Sequence, residues 1–181
     1  MAHLTNTTQR YGWISIVLHW LMALTLFGLF GLGLYMVELT YYDAWYKGSL
    51  DLHKAIGILL ALTWMARLSW RFANPSPEEL SDKAWENKAA HLVHWVLYLL
   101  MLALFVSGYP ISTADGRSIS VFGWFEIPAS LMMDNQEDIA GVIHWGLAWS
   151  LMILVGLHAA AAVKHHVVDK DRTLVRMLKT H

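Results

Sequence analysis

Five histidines stand inside otherwise apolar runs of this 181-residue chain: His19, His53, His94, His144 and His158, with His91 at the edge of one run. Burying an ionisable side chain in apolar surroundings is costly, so such a residue marks a site by default. The chain has ten His and no Cys. That excludes disulfides, zinc-thiolate sites, iron–sulfur clusters and thioether-linked haem, and leaves imidazole and carboxylate as the main metal ligands. His144 and His158 are fourteen residues apart, which on a helix returns to nearly the same face after a rise of about 21 Å. One helix therefore presents two imidazoles at two levels.

The elements that must position them are membrane helices. Hydrophobic residues make up 56% of the chain and mean hydropathy is positive, too apolar for an ordinary soluble domain. Four segments, 13–37, 52–72, 89–111 and 139–163, have the roughly 20 apolar residues needed to cross a hydrocarbon core. Each must be helical, because a lone strand would leave its backbone unpaired in lipid. The expected fold is an all-α integral membrane four-helix bundle forming a single domain over 1–181. The start of the chain, MAHLTNTTQRYGW, lacks the pattern of a cleavable signal peptide, so the first apolar segment is expected to remain. Polar stretches such as NPSPEELSDKAWENK separate the spans, and SVFGWFEIPASL in the long 112–138 connection is expected to rest at the membrane surface.

Lys and Arg set the orientation. Ten of them (Arg10, Arg67, Arg71, Lys83, Lys88, Lys164, Lys170, Arg172, Arg176 and Lys179) lie toward the side of the termini, against Lys47, Lys54 and Arg117 on the other. Both termini are therefore expected in the cytoplasm. Tyr11, Trp13, Tyr41, Tyr42, Trp45, Tyr46, Trp85 and Trp124 suit the interfacial belts.

Depth then constrains how the histidines pair. On the outer side His53 and His144 pair by elimination. On the inner side His19, His94 and His158 lie at similar depths, and spacing does not choose between them. Two stacked His–His pairs in a bundle without Cys suit two bis-imidazole b-type haems. Gly33 and Gly108, fourteen residues after His19 and His94, fall at the outer level; Gly57 and the Ala159–Ala162 run lie beside His53 and His158. Such small residues leave room for a macrocycle. Arg67, fourteen after His53, reaches the inner level, where a propionate or a quinone head group could use a cation.

Plainer readings exist. Each His alone serves equally well as an interhelical hydrogen-bond partner, and Gly and Ala at fixed spacing more readily as packing contacts; the joint pattern is the specific one. A metal-ion transporter is disfavoured, because no acidic residue accompanies the histidines within the spans. His165 and His166 beside Lys164 read as a wet interfacial cluster, with proton donation to a quinone as the functional alternative. His3 and His181 lie in tails and carry no assigned role.

At this point the residues resemble the bacterial cytochrome b561 family, di-haem cytochromes related to the cytochrome b subunits of nickel–iron hydrogenases. The resemblance covers almost the whole chain: RYGWISIVLHW, LHKAIGILL, AHLVHWVLYLL, IHWGLAW, GLHAAAAVKHH and DKDRTLVRM, in that order. LTYYDAWY and ISTADGRSISVFGWFEIPA mark a distinct branch. The resemblance implies His19 with His158 for the inner haem and His53 with His144 for the outer. It leaves His91 and His94 to supporting or propionate-contacting roles. Cofactor-binding residues are thus expected to be His19, His158, His53, His144, Arg67, His94 and Lys54, the first four as metal ligands and none as catalytic acid or base.

The family implies electron transfer through two haem b groups between quinone, with ubiquinone as substrate, and another donor or acceptor. One branch oxidises superoxide. A superoxide oxidase would gain from a positive outer funnel, yet the outer connections carry eight acidic residues against three basic ones. Lys54 and Arg117 could still form a local positive spot, and an acidic rim equally suits a basic redox protein. The expected partners are membrane lipid, quinone and a periplasmic redox protein, with homodimerisation open and no nucleic acid. A haem-bearing membrane anchor with no substrate of its own is the alternative.

Overall fold

The computed structural model describes residues 3–131 and 133–179; His181 lies outside them. Four long helices dominate: α1 (Trp13–Val37), α2 (Tyr46–Ala73), α3 (Ala84–Thr113) and α4 (Gln136–Val167). Between α3 and α4 sits an antiparallel hairpin, β1 (Ile119–Val121) with β2 (Phe125–Ile127), and a one-turn helix α5 (Thr173–Arg176) follows α4. All four long helices are long and apolar enough to cross a membrane. The chain is an all-α membrane bundle. Its helices overrun the apolar segments at most ends; α2 starts at Tyr46, and α4 runs from Gln136 to Val167. Helical hydrogen bonding continues through the polar ends, while hydropathy marks only the hydrocarbon portion.

The outside of the bundle is its apolar side. Val17, Leu24, Phe27, Leu99, Val106, Val142 and Ile153 are all at least half exposed on the helix surfaces, an arrangement that suits lipid and would be a liability in water. Inside, Met22, Leu29, Leu60, Trp64, Tyr98, Met101, Leu104 and Leu151 form one packed cluster drawn from all four helices. The extensive helix interfaces are α1 with α2 and α3 with α4; α2 meets α3 over a smaller area. Two helical hairpins thus face each other across a seam.

Both ends are tied. At the end holding the termini, Asn6 Oδ1 accepts from the Gly12 amide at 2.9 Å and from the Ser15 hydroxyl at 2.6 Å, while its amide donates to the Pro75 carbonyl. Trp70 Nε1 adds a bond to Ser15 Oγ at 3.0 Å. A Cβ at Gly12 would fall 2.3 Å from the Leu4 carbonyl oxygen, so only glycine lets the N-terminal strap lie this close to α1. At the other end, β1 packs on α2 with Val121 fully buried. The Tyr109 hydroxyl donates to the Pro128 carbonyl at 2.7 Å and accepts from the Ser130 amide, and Gln136 Nε2 donates to the Pro110 carbonyl at 2.9 Å. The aromatic stretch expected at the surface is this hairpin, turned by Phe122 and Gly123, both at positive φ.

Candidate haem-binding site

Across the seam the histidines meet in two groups. His53 from α2 faces His144 from α4 with ring centroids 6.4 Å apart, and His19 from α1 faces His158 from α4 at 6.3 Å. His94 from α3 lies 5.2 Å from His158. All five are half-buried. The two groups sit at the two levels of α4 expected from the fourteen-residue spacing, the first near the 112–138 connection and the second toward the termini. The Trp64 and Tyr98 layer lies in the core cluster between α2 and α3.

At the level near the connection, local chemistry sets the state of His144. Ser107 donates its single hydroxyl hydrogen to the Leu104 carbonyl at 3.1 Å, and its oxygen lies 3.0 Å from His144 Nδ1. With that hydrogen committed, the contact requires Nδ1–H to donate to Ser107, which leaves Nε2 with its lone pair. His144 is thereby held in the tautomer of a metal ligand. His53 Nδ1 is buried and has no hydrogen-bond partner. A Cβ at Gly33 would lie 3.5 Å from His53 Cε1, and one at Gly108 would lie 3.4 Å from His144 Cε1. Each glycine supports a ring edge-on, where a larger side chain would press it aside.

The level near the termini carries a cation. Arg67 Nη2 lies 3.0 Å from His19 Nδ1; a guanidinium only donates, so here His19 keeps its proton on Nε2. Arg67 also stacks over the Tyr98 ring at 5.8 Å, and Arg71 shares that ring at 5.6 Å and covers Trp95 at 5.8 Å. Two positive charges are therefore held beside His19, His94 and His158 by aromatic faces.

These residues fit a bis-imidazole metal group. With metal–nitrogen bonds of about 2 Å and a ring nitrogen about 1.1 Å from its ring centre, two imidazoles on opposite sides of one ion have centroids roughly 6.3 Å apart. The His53–His144 and His19–His158 spacings match this. The His94–His158 spacing of 5.2 Å is about 1 Å too short for it. Gly57, one turn after His53, has nothing within 4 Å of its would-be Cβ. The orphaned His53 Nδ1 and the preset tautomer of His144 fit the same donor set.

Other singled-out residues fall elsewhere. His91 Nε2 contacts Glu79 at 2.8 Å on an exposed surface, away from a propionate role. Lys54 donates to the Ser112 carbonyl at 3.3 Å, tying α2 to the end of α3. Arg117 Nε donates to Asp115 at 2.7 Å, and this pairing holds the Asp115 carboxyl below the usual range. The local positive spot is thus largely neutralised at Arg117. His165 sits between Asp169 and Asp171, at 2.8 and 3.1 Å, and His166 is exposed. Glu86, His165 and Asp169 have metal-ligand spacing, but Lys164 Nζ already contacts Glu86 at 3.1 Å and Asp169 at 2.6 Å. Its ammonium depresses the Asp169 carboxyl and supplies the cation that cluster needs. Sequence reasoning missed Ser107; the available signal was a hydroxyl in the apolar α3 run, directly before Gly108.

Comparison with known proteins supplies the family. The model of the prokaryotic cytochrome b561 family matches residues 10–180. Cytochrome b561 homolog 2 of Escherichia coli K12 is 51% identical over 176 residues, covering 96% of this chain and 94% of that protein. A protein named probable superoxide oxidase CybB, from Yersinia pestis, is 31% identical over 94% of this chain and 96% of its own length. Cytochrome b561 homolog 1 of E. coli K12 is 30% identical over 94% of this chain and 97% of its own length. With a family match over nearly the full length, four membrane helices and a histidine set fit for haem b, this chain belongs to the prokaryotic cytochrome b561 family of multi-pass bacterial membrane proteins.

Proposed function

We propose that the protein is a di-haem b-type cytochrome that carries single electrons across the inner membrane between quinone and a redox partner at the 112–138 face. The observation that carries this reading is the presence of two cross-seam imidazole pairs at 6.3 and 6.4 Å. His19 and His158 are the ligands at the termini level, His53 and His144 those near the connection. The bound haem iron supplies a one-electron couple. Ser107 presents Nε2 of His144, Gly33 and Gly108 keep the ring edges clear, and Arg67 supplies positive charge at the second level. Haem held through His19 Nε2 would put the imidazole proton on Nδ1; Arg67 would then no longer bond the ring nitrogen but would stay beside the group, held over the Tyr98 ring. The packed core between the levels excludes water from the path.

The ten-to-three distribution of Lys and Arg supports cytoplasmic termini and a periplasmic 112–138 face. Quinone is the two-electron, two-proton partner in the bilayer, with ubiquinone as the expected species. The acidic periplasmic side favours a basic redox protein over an attracted anion, and the pairing of Arg117 with Asp115 adds to this. Superoxide oxidation is the second reading, supported by the name of the Yersinia pestis relative. The test is a proteoliposome assay with a ubiquinol analogue in the bilayer and membrane-impermeant ferricyanide on one side. Quinol should reduce the haems, and ferricyanide reduction should fall to the protein-free rate in His53→Ala and in His158→Ala. Undiminished transfer in either variant would sink the two-step wire.

A further inference from the structure

Two guanidinium groups stand close together where lipid gives charge the least tolerance. Arg67 and Arg71 are four residues apart on α2 and share one face, a spacing at which like charges repel. No Asp or Glu occurs within the four apolar segments 13–37, 52–72, 89–111 and 139–163, so the spans themselves supply no counter-charge. Aromatic rings hold the pair in place. Arg71 Cζ lies 5.6 Å from the Tyr98 centroid and 5.8 Å from that of Trp95, and Arg67 Cζ lies 5.8 Å from the same Tyr98 centroid. Tyr98 is buried in the core cluster, and Trp95 packs against Phe72 at 6.2 Å. An arginine near a helix end ordinarily extends its head to the membrane surface. Arg71 is instead tethered across the seam, over two rings of α3.

Such a tether leaves hydrogen-bonding capacity over. A guanidinium carries five N–H donors in its own plane, and contact with a ring through its face consumes none of them. The hydrogen-bond contacts of Arg67 are with neutral atoms, His19 Nδ1 at 3.0 Å and Met22 Sδ at 3.9 Å, and the first of these is given up when His19 ligates through Nε2. Two cations fixed by one ring, with planar donor forks to spare, form a receptor for carboxylates. The haem reading, on which this inference rests, brings carboxylates to the same place. His19 and His158 grip the group from α1 and α4, whereas the cations stand on α2, so they meet the rim of a planar ligand and not its faces. A b-type haem carries its two propionates on one rim.

We propose that Arg71, together with Arg67 at the same Tyr98 ring, binds the propionates of the haem held between His19 and His158. The pair thereby fixes which way round the macrocycle sits, with its carboxylate rim toward the seam between α2 and α3. Tyr98 and Trp95 act as positioning residues that hold the guanidinium groups ready for the carboxylates.

The test uses the full-length protein in a His53→Ala background, which leaves the termini-side haem alone. Cells producing it are fed 5-aminolaevulinate labelled with carbon-13 at its carboxyl carbon, which marks the haem propionates and not the carboxylates of the protein. Redox-difference infrared spectra then report the label-sensitive carboxylate bands. Adding Arg71→Gln should displace those bands and speed haem loss to apomyoglobin roughly tenfold, as expected for one charge-assisted hydrogen bond. Arg67→Gln should displace the bands as well, and Arg71→Lys, which keeps the charge, should restore haem retention. Unchanged bands in both glutamine variants, with haem still bound, would overturn the clamp and leave the haem reading intact. Faster haem loss with unchanged bands would overturn it too, reducing Arg71 to a packing partner of Trp95 and Tyr98. A haemochrome count near zero in the His53→Ala background would instead sink the two-level haem reading, and the clamp with it.

Discussion

Arg67→Gln should lower the midpoint potential of the haem near the termini by roughly 100 mV and leave the other nearly unchanged. The figure follows from the position of the guanidinium. Arg67 Nη2 lies 3.0 Å from His19 Nδ1; adding about 2.2 Å across the imidazole and about 2 Å for a metal–nitrogen bond places it roughly 7 Å from an iron bound at Nε2. Two unit charges at that distance interact by about 2.4 kcal/mol at an effective dielectric constant near 20. With about 59 mV for each tenfold change in a one-electron couple, this corresponds to roughly 100 mV. The sign is set by oxidation adding positive charge: a neighbouring cation disfavours the ferric state, so its removal lowers the potential. Optical redox titration of Arg67→Gln in a His53→Ala background, where only the termini-side haem remains, isolates the effect. Arg67→Lys should restore most of the parent value. A shift below about 20 mV, or an upward one, would refute the placement of Arg67 beside that haem.

Two substitutions probe the other level. Ser107→Ala removes the acceptor that fixes the His144 tautomer; haem affinity there should fall about 10- to 100-fold, read by haem loss to apomyoglobin, while the termini-side haem stays bound. Gly108→Leu should empty the same level by driving a branched side chain into His144, whose Cε1 is 3.4 Å from the would-be Cβ. Gly108→Ala, needing only a slight yield of the ring, should retain it, and equal haem content in the two variants would show that Gly108 is merely a packing residue.

Much of this architecture is legible without coordinates because lipid forces the chain to declare itself. A backbone crossing hydrocarbon has to be helical, so the four spans follow from hydropathy, and the fourteen-residue interval of His144 and His158 fixes their levels by helical geometry alone. The elimination that pairs His53 with His144 agrees with their rings lying 6.4 Å apart between centroids. Depth could not choose between His19 and His94 as the partner of His158, because both share a level; the proposed choice of His19 rests on centroid spacing, which depends on helix rotation and crossing angle. Gly33 was placed at the right level from its interval to His19, yet the ring it supports belongs to His53 on another helix. Ser107 went unread for the same reason: a single hydroxyl in an apolar helix gains meaning only when the imidazole of a helix 37 residues away is brought to it. The β1–β2 hairpin escaped because two three-residue strands carry too little alternation to register, and its turn uses Phe122 at positive φ, where aromatic residues are uncommon.

The most direct test of the central claim is a pyridine haemochrome count per chain, with reduced-minus-oxidised spectra, for the parent protein, His53→Ala and His158→Ala. The account predicts about two b haems in the parent and about one in each variant, with the two variants losing spectroscopically different haems and the His94→Ala control keeping both. One haem in the parent, or the same haem lost from both variants, would contradict the two-level pairing on which the proposed function rests.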